Sequence, residues 1–133
     1  MKKIVNTSGK RKSAIARVTL REGKGIIRIN SKSLNVYGPE IAKLKIMEPL
    51  IIAGDISKKV NISVNVIGGG WQSQAEATRL AIAKALVEFS GSKQLKKEFL
   101  DYDRHLLIAD VRRRETRKPN ISRARAKRQK SYR

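Results

Sequence analysis

The sequence predicts a small α+β domain, a sheet covered by helices, followed by an extended basic tail. Three observations carry that expectation. The chain has 133 residues with a hydrophobic fraction of 40%, enough for one compact core rather than two. Short stretches that alternate apolar with polar residues precede and follow a helix-forming segment, and a longer helical period comes after, which suits helices packed on one sheet. The formal net charge is +20, from 31 Lys+Arg against 11 Asp+Glu, and it gathers at the two ends of the chain.

Lys3–Thr7 reads as a first strand and Ala14–Arg21 as a second, with Ile15, Val18 and Leu20 among polar neighbours. Between them Ser8-Gly9-Lys10-Arg11-Lys12-Ser13 reads as a cationic loop. Ile26–Asn30 follows Glu22-Gly23-Lys24-Gly25, a hairpin turn whose glycines can take positive φ. Pro39 suits the first turn of a helix running to about Met47, with Ile41, Leu44 and Met47 inward, and Pro49 is expected to end it. In Val60–Ile67 the residues Val60, Ile62, Val64 and Val66 alternate with Asn61, Ser63 and Asn65, the pattern of a half-buried strand. Gly68-Gly69-Gly70 breaks it. From about Ser73 to Phe89 the helical period is clearest, with Ala75, Thr78, Ile82, Ala85, Leu86 and Phe89 on one arc and Glu76, Arg79, Lys84 and Glu88 off it. Ser90-Gly91 supplies the stop. Lys93–Leu100 reads as a shorter helix and Leu106–Val111 as a brief apolar segment. The globular domain is thus residues 1–111 and the arginine-rich tail residues 112–133.

Residues 1–28 hold a net charge of +8, residues 29–111 only +2, and residues 112–133 +10. The tail's apolar or aromatic members are Ile121, Ala124, Ala126 and Tyr132. They bury too little to offset the entropy of ordering, so the tail is expected to order on its partner. Fully extended it would reach about 70 Å, several times the radius of gyration of ~13 Å for a domain of this size. Eight arginines against three lysines in the tail favour bidentate recognition of phosphates and bases over point-charge attraction. Such a balance points to a nucleic-acid partner. With no cysteine and one histidine, disulfides, thiolate sites and multi-histidine metal centres are excluded. No apolar run approaches the ~20 residues that span a bilayer, and none of signal-peptide length follows Met1-Lys2-Lys3. The expectation is a cytoplasmic, non-enzymatic protein with no cofactor, no metal, no membrane and no small-molecule substrate.

Several motifs admit a plain reading beside a functional one. The glycine triplet lies between a strand and a helix, where backbone N–H groups could meet a phosphate. It lacks the spacing of a nucleotide-binding loop, so a tight turn outweighs approach by an RNA backbone. His105, beside Asp101 and Asp103, invites a catalytic reading, but without a second histidine or a serine-elbow motif it is a surface residue. Trp71 could stack on a base, but a large side chain covering the end of the core is the favoured reading. Lys10, Arg11, Lys12 and Arg17 suit phosphate contacts from a hairpin tip. The runs Arg112-Arg113-Arg114, Arg117-Lys118 and Arg123-Ala124-Arg125-Ala126-Lys127-Arg128-Gln129-Lys130 look like an arm that folds on RNA. A DNA-compacting architectural protein, or a protein subunit of another ribonucleoprotein, remains an alternative on charge alone.

The stretch from Gly68 to Leu86, GGGWQSQAEATRLAIAKAL, resembles the signature of the ninth protein family of the small ribosomal subunit. Thr7–Val18 looks like that family's opening hairpin, and Tyr102-Asp103-Arg104 with Asp110 and Arg112-Arg113-Arg114 looks like its exit into the tail. The ending Lys127–Arg133 is similar to the archaeal and eukaryotic form, and the length suggests an archaeal, cytoplasmic member. The resemblance implies a four-stranded sheet with helices on one face and a left-handed β-α-β crossover. It also implies binding to ribosomal RNA in the head of the small subunit, among that head's other proteins. On the matching positions, Lys10, Arg11, Lys12, Arg17, Gly68, Gly69, Gly70, Arg112, Arg113, Arg114, Arg117, Lys118, Arg123, Arg125, Lys127 and Arg128 would meet ribosomal RNA. Lys130, Ser131, Tyr132 and Arg133 would approach the anticodon stem-loop of peptidyl-site tRNA. Pro119-Asn120-Ile121-Ser122 stands where archaeal and eukaryotic relatives often carry a glycine-rich stretch.

Overall fold

A computed structural model describes residues 2–120, 123–126 and 131–132. Strands β1 (Ile4–Arg11), β2 (Ala14–Glu22), β3 (Ile27–Ile29), β4 (Lys32–Ser33) and β5 (Val60–Ile67) form one sheet in the order β1-β2-β5-β3-β4. Neighbours are antiparallel except β3 and β5, which run parallel. The connection between these two passes through β4, a 3-10 turn at Leu34–Val36, α1 (Glu40–Ala53) and α2 (Asp55–Lys58). Helices α3 (Trp71–Ser90) and α4 (Lys93–Tyr102) and a 3-10 turn at Arg104–Leu106 complete the domain. The α+β class is as expected. The sheet has five strands where four were implied, because Lys32–Ser33 turns back on β3 as a short edge.

That edge rests on Asn30 and Ser31, both at positive φ (49° and 68°), the backbone pairing of a tight two-residue hairpin. Asn30 also ties β3 to β5: its Nδ2 donates to the Val66 carbonyl at 3.1 Å and its Oδ1 accepts from the Val66 N–H at 2.9 Å. The period of two in β2 and β5 fixes which face is covered. Ala14, Ala16, Val18 and Leu20, with Val60, Ile62, Val64 and Val66, are buried, while their alternates point away from the helices.

Helix α3 is the centre of the core rather than a one-sided surface helix. Ala75, Ala77, Thr78, Leu80, Ala81, Ile82, Ala83, Ala85 and Leu86 are all buried, because the strands cover one side and α1 and α4 the other. Its alanines let β1 approach closely. A Cβ placed on Gly9 would lie 2.3 Å from the Ala77 carbonyl oxygen, and the Thr7 hydroxyl donates to the Ala81 carbonyl at 2.8 Å. Ser8–Arg11 is therefore strand and not loop, and only Lys12-Ser13 turns the hairpin.

Helix α1 corrects a second expectation by continuing through Pro49 to Ala53. Pro49 forfeits one backbone hydrogen bond, but it is buried along the same edge as Ala42, Ile46, Leu50 and Ala53, and that packing outweighs the lost bond. The buried edge is rotated from the one expected, leaving Ile41 and Leu44 at 61% and 55% exposure.

Candidate nucleic-acid interface

The hairpin tip divides its cations between two sides. Lys10 and Arg17 are exposed on the side of the sheet away from the helices, and Lys12 is exposed at the turn with φ 52°. Arg11, of opposite parity, faces the helices. Its Nε lies 2.7 Å from Glu76 Oε2 and its Nη2 3.5 Å from Asp110 Oδ2, with 13% of the side chain exposed.

Around Arg11 runs a chain of alternating charges that sequence reading did not anticipate. Lys45 Nζ is 3.2 Å from Glu76 Oε1, and Arg79 Nη2 bridges Glu48 and Asp103, the latter at 3.0 Å. These groups line a cleft of about 280 Å³ with Lys10, Leu80, His105 and Arg112, joining the end of β1, α1, α3 and the start of the tail. Burial raises the Glu76 pKa, but hydrogen bonds from Arg11 and Lys45 outweigh it and hold the group below its ordinary range. For Asp103, burial is likewise overcome by the His105 backbone N–H and the Arg79 guanidinium. Asp110 is held well below the carboxylate range, first by the Arg112 side chain and then by the Arg112 backbone N–H. The one available signal was the pair Glu76 and Arg79, charged residues one turn apart inside an otherwise alanine-rich helix.

The glycine turn is explained partly by the chain itself. Gly68 and Gly69 have φ of 77° and 65°, and a Cβ on Gly68 would sit 2.5 Å from the Ser13 carbonyl oxygen. Both are needed to turn β5 past the hairpin into α3. Gly70 has ordinary extended backbone, caps α3 without a side-chain hydrogen bond, and has no atom within 4 Å of an added Cβ. Trp71 does not close the core: it is 46% exposed at the helix start.

His105 is exposed, with its Nδ1 3.3 Å from the Ile108 carbonyl and its backbone N–H donating to Asp103 Oδ1 at 2.9 Å. This ordinary surface turn matches the plain reading. Among the described residues no cluster of three or more metal-ligating side chains exists, and no helix is long and apolar enough to cross a membrane.

The tail leaves the domain at a fixed point. Arg112 Nη2 contacts Asp110 Oδ2 at 2.7 Å, and Arg113 Nη1 donates to the carbonyls of Asp110 and Arg112. Arg114, Arg117, Lys118 and Arg123 are exposed. Pro119-Asn120 forms a turn with Asn120 at φ 63°, and Arg125 Nε lies 3.0 Å from each Glu115 carboxylate oxygen. The described part of the tail contains no helix or strand. Ser131 and Tyr132 are exposed, whereas Lys127, Arg128, Lys130 and Arg133 lie outside the described residues.

Fold and site together define a class: a small α+β protein with a cationic surface, an arginine-rich arm anchored by ion pairs, and no catalytic constellation among the described residues. Comparison with known proteins is more specific. The profile of the family described as "Ribosomal protein S9/S16" matches residues 9–133. Proteins named "Small ribosomal subunit protein uS9" from two strains of the methanogenic archaeon Methanococcus maripaludis, C7 and C5, are each 53% identical over 133 residues. The match covers 98% of this chain and 99% of theirs. The chain belongs to the ribosomal protein S9 family, structural and non-enzymatic constituents of the small subunit of the cytoplasmic ribosome.

Proposed function

We propose that this chain binds ribosomal RNA in the head of the small subunit and extends its tail to the anticodon stem-loop of peptidyl-site tRNA. The observation that carries the reading is the separation of charge. Residues 29–111 are nearly balanced at +2 and the cations of the cleft are held in ion pairs, while residues 1–28 add a net +8 and the tail a net +10 beyond Asp110. Lys10, Lys12 and Arg17 at the hairpin, together with Arg112, Arg113, Arg114, Arg117, Lys118, Arg123, Arg125, Lys127 and Arg128, are the phosphate-contacting set in this reading. Arg11 serves RNA indirectly by fixing the hairpin and the root of the tail. Gly68 and Gly69 shape the turn, and Gly70 leaves room for a phosphate-sugar backbone at the start of α3. Lys130, Ser131, Tyr132 and Arg133 reach the tRNA. The β3–β5 crossover is left-handed in the same reading. The exposed Ile41, Leu44 and Ile51 of α1 suit a neighbouring protein of the subunit head.

Native lysate sedimented through a sucrose gradient, before and after a high-salt wash, tests this. The chain should remain with washed small subunits in stoichiometric amount. Migration with nucleoid DNA, or with a light RNA particle, would replace this reading with an architectural or other ribonucleoprotein role.

A further inference from the structure

No described residue covers the sheet face turned away from the helices, and between the isoleucines at its margins (Ile4, Ile15 and Ile67) it is polar and cationic. The strand register places Ser8 beside Arg17 and Asn65 in one cross-strand row. Asn6, Thr19, Ser63, Arg28 and Ser33 form the next, and Arg21 lies between Ile4 and Asn61 in a third. No Asp or Glu occupies this face. The only strand acid, Glu22, ends β2 on the opposite parity.

Cations on the two sides of the sheet behave differently. Facing the helices, Arg11 and Arg79 are held by carboxylates. On the open face, Arg17, Arg21 and Arg28 make no salt bridge with any described residue. Arg17 and Arg21 are about 13 Å apart along β2, and Arg28 stands about 10 Å across the sheet from that strand. Between these three positions lie the Thr19 and Ser63 hydroxyls. Asn61 is occupied internally, since its Oδ1 accepts from the Lys24 and Ile26 backbone N–H groups.

We propose that this open sheet face is a second RNA contact, separate from the tail, and that it takes helical RNA along its minor groove. The inference rests on the RNA-binding reading above and names the surface and the form of RNA. The absence of carboxylates and the unpaired arginines select a polyanion. No aromatic residue lies on the face, so the base stacking that holds single strands is missing. Hydroxyl and amide side chains between arginines suit the wide, shallow RNA minor groove, where 2′-hydroxyls and phosphates are both presented.

The test uses the full chain with three probes of one mixed sequence: a 20-base-pair RNA duplex, the matching DNA duplex, and the single-stranded RNA. The double variant Arg21→Gln/Arg28→Gln should bind the RNA duplex about tenfold more weakly, with a salt slope shallower by about 2. Thr19→Val/Ser63→Ala should erode the preference for RNA over DNA duplex while leaving the salt slope unchanged. The charge-matched tail variant Arg113→Gln/Arg117→Gln should weaken all three probes alike. All substitutions are at the surface, and thermal melts confirm folding. Equal losses on every probe from the sheet and tail variants would overturn the proposal, as would an unchanged RNA-over-DNA preference in Thr19→Val/Ser63→Ala. Loss of the parent chain from washed small subunits would count against the ribosomal reading, and the duplex assay would still decide the sheet face.

Discussion

Gly9 and Ser31 illustrate how single residues set this structure. At Gly9 the constraint is space, since the strand backbone rests against α3 with the Ala77 carbonyl 2.3 Å from a hypothetical Cβ. Gly9→Ala must push β1 off the helix and should destabilise the domain by about 3 kcal/mol, read by denaturant unfolding. At Ser31 the constraint is conformational, a side chain held at φ 68°. Ser31→Gly removes a left-handed penalty of about 1–2 kcal/mol and adds about 0.5–1 kcal/mol of unfolded-chain entropy. A net gain of about 0.5 kcal/mol in the same assay is expected. Neither role is legible locally. Gly9, among lysines and serines, reads as loop, and Asn30-Ser31 lacks the glycine that would advertise a tight hairpin. The basic character of Lys10, Lys12 and Arg17, by contrast, is plain from composition.

At the level of elements, the cleft at the end of α3 fastens the hairpin, α1 and the root of the tail through Glu76, Asp103 and Asp110. All three carboxylates have folded-state pKa values below their ordinary ones. Their stabilisation is therefore complete above the unfolded pKa values, near 4, and is lost as the pH falls through the lower folded values. The melting temperature of the parent should drop between pH 4 and pH 2. Glu76→Gln should melt lower than the parent at pH 7 but lose less on acidification, because one of the titrating groups is gone. Identical pH profiles for the two would show that the cleft does not couple to folding. The strand and helix periods were readable because they depend on near neighbours. The ion-pair chain was not, because its members come from positions 11, 45, 48, 76, 79, 103 and 110. Pro49 misled for the same reason, since its local penalty was visible and its burial against the rest of the domain was not.

The whole molecule combines a paired, nearly neutral interior with two cationic surfaces, the tail and the open side of the sheet. Removing residues 112–133 deletes a net +10 and should flatten the salt dependence of RNA binding steeply, because each neutralised phosphate releases counterion. The residual binding should retain its preference for RNA duplex. An unchanged salt slope after truncation would show that the tail makes no phosphate contacts. Arg133→Ala should leave subunit assembly intact and weaken retention of peptidyl-site tRNA by about 1–2 kcal/mol, the scale of a hydrogen bond to a charged group. Filter retention of tRNA on parent and variant subunits measures it, and equal retention would remove Arg133 from the tRNA contact.

By itself the sequence determined the α+β class, the limits of most elements, the concentration of charge at both ends and, through the glycine signature, the family. Those properties are written in composition, short-range period and contiguous motif. Tertiary structure alone decided which cations are free. Arg11 and Arg17 look equivalent along the chain, yet strand parity turns one toward Glu76 and leaves the other on a face that no described residue covers. The reason is that availability for RNA depends on which carboxylates fold back within about 4 Å, and that neighbourhood exists only once distant segments have packed.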